Sequence, residues 1–96
     1  MSAIKETERQ LKALANKRRL AILNFLASKE PASVGSIAQE IKLSFKSTSN
    51  HLLILSACDV LDREQTSTTV LYRLTRPVSP LVKTVLGILK FVRIKE

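Results

Sequence analysis

Leu43-Ser44-Phe45-Lys46-Ser47-Thr48-Ser49-Asn50-His51-Leu52-Leu53-Ile54-Leu55-Ser56-Ala57-Cys58 is the stretch on which the fold turns. Ser44 can accept from the free backbone donors of a helix start, and Leu43 before it can staple onto the first turn. Behind that cap, Thr48, Leu52 and Leu55 recur at i, i+4 and i+7 and predict one buried stripe. The remaining surface carries Lys46, Ser47, Ser49, Asn50 and His51, a row of hydrogen-bonding groups with one positive charge. No acidic residue occurs from Lys42 to Cys58. Such a helix suits a DNA major groove, where base edges are read by small donors and acceptors and phosphates flank them. Taken alone, the same face also reads as a solvated, serine-rich helix surface, so the neighbouring segments decide.

Upstream, Ser33 caps a short helix whose Val34, Ile37, Ala38 and Ile41 fall at i, i+3, i+4 and i+7. Lys42-Leu43-Ser44 is all that joins it to the stretch above. Two short helices with so brief a link, the second polar outside, are the layout of a helix-turn-helix. Earlier still, Ile4 to Ala15 is helix-friendly, with Ile4, Leu11, Leu14 and Ala15 roughly on one side. Asn16 breaks and caps. Lys17-Arg18-Arg19 then opens a second helix whose Leu20, Leu23, Phe25, Leu26 and Ala27 make a broad apolar face. Three cations in a first turn oppose the macrodipole, and a backbone phosphate docked there would relieve the conflict. The plainer alternative is that two of the three point to water. Lys29-Glu30-Pro31-Ala32 reads as a turn.

Downstream the period changes. Val60-Leu61-Asp62-Arg63-Glu64 and Val70-Leu71-Tyr72-Arg73-Leu74 read as two strands around the polar loop Gln65-Thr66-Ser67-Thr68-Thr69. Beside a helix-turn-helix such a hairpin is a wing, and Arg63, Arg73 and the hydroxyls of Thr66, Ser67 and Thr68 suit phosphate contacts. An ordinary exposed hairpin is the alternative. Arg76-Pro77-Val78 ends it, Ser79 caps, and Pro80 sits in the first turn of a last helix, where proline is tolerated best. From Leu81 to Ile94 that helix carries more apolar surface than one face of a small domain can cover. Part of it is therefore expected to pack on a second copy together with the first helix, through Ile4, Leu11, Leu81, Val85, Ile88, Leu89 and Val92. About 800 Å² per partner is enough for a stable interface. The alternative is that the whole helix is intramolecular core.

With 96 residues the chain is expected to be a single domain over 1–96, mainly α with a small β-hairpin. The balance of 16 Lys+Arg against 8 Asp+Glu leaves +8 and points to a polyanionic partner. One cysteine, Cys58, excludes an internal disulfide and fits a reducing interior. No apolar run approaches the ~18 residues of a membrane span, and the start lacks a signal-peptide core, so a cytoplasmic location without membrane partners is the expectation. Few aromatics leave no stacking platforms of the kind single-strand readers use. His51 and Cys58 are too few ligands for a tetrahedral metal site. With the one His inside the reading helix and no Gly-rich phosphate loop, no catalytic constellation forms, and an enzyme is not expected.

The chain resembles the ArsR/SmtB family of winged-helix repressors over about Leu11 to Leu74. The resemblance rests on Leu11-Lys12-Ala13-Leu14-Ala15-Asn16-Lys17-Arg18-Arg19-Leu20-Ala21-Ile22-Leu23, on Ser36-Ile37-Ala38, on Ser49-Asn50-His51-Leu52 followed by Leu55, and on Tyr72-Arg73-Leu74. It implies a homodimer built from the first and last helices, with two recognition helices in successive major grooves of a near-palindromic operator. Ser44, Phe45, Lys46, Ser47, Ser49, Asn50 and His51 occupy the positions where the family reads bases and nearby phosphates. Phe45 stands where a polar residue is common, and Leu53 and Ile54 where Lys or Arg is usual. Metal sensing does not carry over. The helix before the turn has Ser33-Val34-Gly35-Ser36 in place of a thiolate pair, and Ser79 to Glu96 has no His, Asp or Cys. No cofactor is expected.

The sequence therefore predicts a dimeric winged helix-turn-helix regulator of transcription that binds double-stranded DNA, with Lys17, Arg18 and Arg19 at the backbone. Its rivals are a winged-helix protein interaction module, favoured by Leu53 and Ile54, and a nonspecific nucleic-acid-binding chromatin protein.

Overall fold

The computed structural model describes residues 2–93, with side chains through Phe91. The expected helix end at Ile94 and the Val92 side chain lie outside the described residues.

Each helix begins where a side-chain oxygen can take up orphan backbone donors. In α1 (Ala3–Leu14) Ser2 accepts from Lys5 N at 3.2 Å. In α2 (Lys17–Lys29) Asn16 Oδ1 accepts from Arg18 N at 2.9 Å and Arg19 N at 3.1 Å. Ser33 caps α3 (Val34–Ile41) through Ser36 N, and Ser44 caps α4 (Phe45–Ala57) through Ser47 N at 3.1 Å. Ser79 accepts from Val82 N at 3.2 Å at the start of α5 (Pro80–Arg93). Between α3 and α4, Lys42 adopts a left-handed backbone (φ 56°) while its N–H returns to α3, so three residues turn the chain.

The sheet holds one strand more than the sequence predicts. β1 (Ala32–Ser33), β2 (Leu61–Gln65) and β3 (Val70–Leu74) lie in the order β1-β3-β2, all antiparallel. Ala32, expected within a turn, instead pairs with Tyr72, and Ser33 with Leu71. Glu30 fixes this edge: its carboxylate accepts from Leu74 N at 2.7 Å and from the Arg76 guanidinium. Val60 lies between α4 and β2 rather than in the strand: its N–H donates to Leu55 O at 3.0 Å and its O accepts from Thr75 N at 3.0 Å.

α2 is the central element, and Ile22, Leu23 and Leu26 meet Ile37, Leu52, Leu55 and Leu61 with no exposed surface beyond a trace. Ile22 joins the face that the sequence assigns to this helix, while Ala27 stays exposed. On α1 the expected side divides. Leu14 enters the core with Ala13, but Ile4 and Leu11 remain 82% and 50% exposed. Gln10 takes an inner position because its amide is satisfied there: Nε2 donates to Cys58 O at 3.2 Å, and Oε1 accepts from Ser79 Oγ at 3.2 Å.

Candidate nucleic-acid interface

α4 presents two chemically distinct sides. Thr48, Leu52 and Leu55 are fully buried, as their spacing predicts, and packing against α3 fixes the helix in direction. Lys46, Ser47 and Asn50 point out to solvent on the opposite side, and Ser49 is half-buried. Exposed apolar groups interrupt this polar row: Phe45 (64%), Leu53 (55%) and Ile54 (42%).

Beside the first turns of α3 and α4, the hairpin closes a groove of about 440 Å³ that Ser33, Gly35, Phe45, Ser49, Arg63, Thr68 and Tyr72 help to line. Strand period 2 sorts the hairpin's charges. Leu61, Arg63 and Gln65 share the face of their partners Leu74, Tyr72 and Val70, which looks toward the core and the groove. Asp62 and Glu64 lie on the other face with Arg73, whose guanidinium pairs with the Glu64 carboxylate, and Thr75 Oγ1 donates to Asp62 Oδ1 at 3.0 Å. Arg63 and Arg73, grouped together in the sequence reading, are thus on opposite sides, and only Arg63 reaches the groove. At the tip, Thr66 and Thr69 bind one another: Thr66 Oγ1 donates to Thr69 O at 2.9 Å and accepts from Thr69 N at 3.1 Å. That leaves Ser67 and Thr68 at the exposed apex.

The basic opening of α2 resolves its conflict with the macrodipole internally. The Arg19 Nε donates to Ala13 O at the end of α1, and Arg18 Nη1 donates to Ile41 O at the end of α3 at 3.4 Å. Arg9 does the same for Ala57 O at the end of α4. Three guanidiniums sit where other helices have their negative ends, and there a cation is favourable. Two of the three cations thus have carbonyl partners within the domain, without a docked anion. Arg18 and Arg19 are half-buried and engaged, and Lys17 is the exposed cation of the three.

His51 also faces inward. Its Nδ1 lies 3.1 Å from Arg19 Nη1; a guanidinium only donates, so Nδ1 accepts and the ring proton resides on Nε2. Burial first, then the positive charges of Arg19 and Arg18, hold its pKa below the usual 6.5. Gly35 and Ser33 are groove residues that sequence reasoning missed. Their only signal was small size at an acid-free helix start, and their neighbours lie far along the chain.

Residues 16–63, from the cap of α2 into β2, match the family model described as bacterial regulatory protein, arsR family. The chain belongs to the ArsR family. Among solved structures, reduced HlyU from Vibrio cholerae is 32% identical, covering 92% of this chain and 88% of its own, with a TM-score of 0.78. The homodimeric winged helix-turn-helix domain of Mb0332 from Mycobacterium bovis is 26% identical, with 96% and 82% covered and a TM-score of 0.77. The transcriptional repressor PagR of Bacillus anthracis is likewise 26% identical, with 91% and 95% covered and a TM-score of 0.77. No curated protein matches the chain.

As an ArsR-family winged helix-turn-helix, α3 and α4 form the helical pair and β2–β3 the wing. The donors that a metal-sensing member would need do not fit here. The start of α3 offers hydroxyls in place of thiolates, with Ser33 Oγ already donating to Ser36 Oγ at 3.2 Å, and soft ions prefer sulfur. No helix among the described residues is long and apolar enough to cross a membrane.

Proposed function

We propose that this protein is a homodimeric transcriptional repressor that binds a near-palindromic operator in double-stranded DNA. The observation that carries the reading is the segregation of charge around the groove. α4 turns Lys46, Ser47 and Asn50 outward with no carboxylate along its length, and the wing turns Arg63 toward it and Asp62 and Glu64 away. A duplex docked on that side meets cations, small hydrogen-bonding groups and the exposed apolar Phe45, but no carboxylate of α4. Phosphate contacts from Lys17, Lys46, Arg63 and the wing apex supply most of the affinity, which falls steeply with salt. Asn50, with Ser47 and Ser49, reads base edges; Arg19 and His51 hold the helix in position from behind, and Arg73 supports the wing.

The dimer rests on apolar residues left outside the core at the chain ends, Ile4 and Leu11 on α1 and Ile88 (55% exposed) on α5, extended along α5 by half-buried Leu89 and by the outer sides of Leu81 and Val85, which also pack on the core. PagR is a repressor and the Mb0332 domain is homodimeric, and both share this fold.

Selection of bound duplexes from a random pool, with sedimentation of the free protein, tests the proposal. The expected results are a two-fold-symmetric motif and a dimer. Asn50→Ala is expected to relax the motif by ~1–3 kcal/mol at one position of each half-site. Leu53 and Ile54 favour a second reading, a protein-docking module, and a protein this basic that shifts no duplex at low salt would establish it.

A further inference from the structure

Phe45 is the first residue of α4, directly behind its cap, and its ring is 64% exposed. It is absent from the side chains that pack on the core, although Tyr72 and Val34 are close by across the groove. Lys46 follows it on the helix, and Arg63 faces it from the wing. The ring therefore lines the groove with Arg63 at the end of the helix that comes nearest to base edges in a helix-turn-helix. A phenyl group has no donor or acceptor. It cannot bind a phosphate or the amide and carbonyl edges of a base, and its gain on docking is the apolar surface it covers. The apolar group that a duplex offers in its major groove is the C5-methyl of thymine.

We propose that Phe45 is a specificity-determining residue that reads a thymine methyl in each half of the operator. The inference rests on the DNA-binding reading above and adds to it a contact that hydrogen bonding cannot make. The polar row of α4 chooses among base edges, while the ring adds a preference for thymine that is blind to the pairing groups. Uracil pairs like thymine and differs from it by the methyl alone, so it isolates this contact.

The test takes the tightest duplex selected from the random pool and replaces each dT by dU in turn. The wild-type protein is expected to lose about fourfold in affinity at one symmetric position per half-site, the fold-change equivalent of ~0.8 kcal/mol for one buried methyl, and about fifteenfold when both are replaced. Phe45→Gln is expected to bind the dT and dU duplexes alike, with an unchanged urea midpoint because the ring lies outside the core. A symmetric motif that is indifferent to every uracil, or a thymine preference that survives in Phe45→Gln, overturns the inference and leaves the regulator reading standing. A pool that yields no motif overturns both.

Discussion

The starts of α2 and α4 share their parts: a cap, positive charge behind it (three residues at α2, Lys46 alone at α4) and no acid in the first turn. At α2 the guanidiniums of Arg18 and Arg19 fold back onto the carbonyls that end α3 and α1. At α4 Lys46 stays in water. The difference follows from what each helix start meets. α2 is central and surrounded by the ends of other helices, so cations find carbonyl acceptors within reach, whereas α4 begins at the surface beside an open groove. A formal charge of +8 thus mixes cations that hold the domain together with cations available to a polyanion.

Substitutions at the two starts should separate these roles. Arg19→Ala is expected to cause the largest loss, about 2 kcal/mol of stability by urea unfolding, because it removes charged hydrogen bonds to Ala13 O and His51 together. If Arg19→Ala keeps its midpoint and loses only DNA affinity, α2 is a phosphate site after all. Lys46→Ala is expected to show the opposite profile. Stability stays within ~0.5 kcal/mol, affinity falls about fivefold on every duplex, and the salt slope of binding decreases by about 1.

A smaller effect, of favourable sign, is expected inside α4. Thr48 is fully buried, and its Oγ1 has no hydrogen-bond partner among the described residues. Thr48→Val should therefore raise stability by about 1 kcal/mol, since it removes a desolvated hydroxyl and keeps the shape. A lower urea midpoint would show that the hydroxyl is bonded. The smallest effect lies where the start of α2 meets the middle of α4, at His51. Its folded-state pKa lies below the ordinary 6.5, so the unfolded chain binds the proton more readily. Stability from this group is complete above that value and is lost as pH falls below it. Urea midpoints of wild type and His51→Asn should converge on acidification, and parallel curves would exclude the linkage.

The helices and the hairpin were legible because apolar spacing and caps are local. Asn16, Ser33, Ser44 and Ser79 all cap where the sequence places them. What was not legible depends on partners distant in the chain. β1 is two residues long, and its pairing with Tyr72 and Leu71 leaves no local pattern. The inward use of Arg18 and Arg19 needs acceptors on α3 and α1, which spacing along α2 cannot reveal. Arg63 and Arg73 stand alike in the sequence, each inside a strand, because the face each takes depends on cross-strand register. The pairing of Gln65 with Val70 fixes which cation faces α4.

That register carries a further consequence. Because neighbouring strand residues alternate sides, shifting β2 by a single position would exchange Arg63 for the carboxylates on either side of it. The sign of the field along one flank of the duplex would reverse with no residue replaced and no change in overall composition. The turn bonded between Thr66 and Thr69 is therefore an electrostatic setting as well as a loop closure, and lengthening it by one residue would convert an attractive flank into a repellent one.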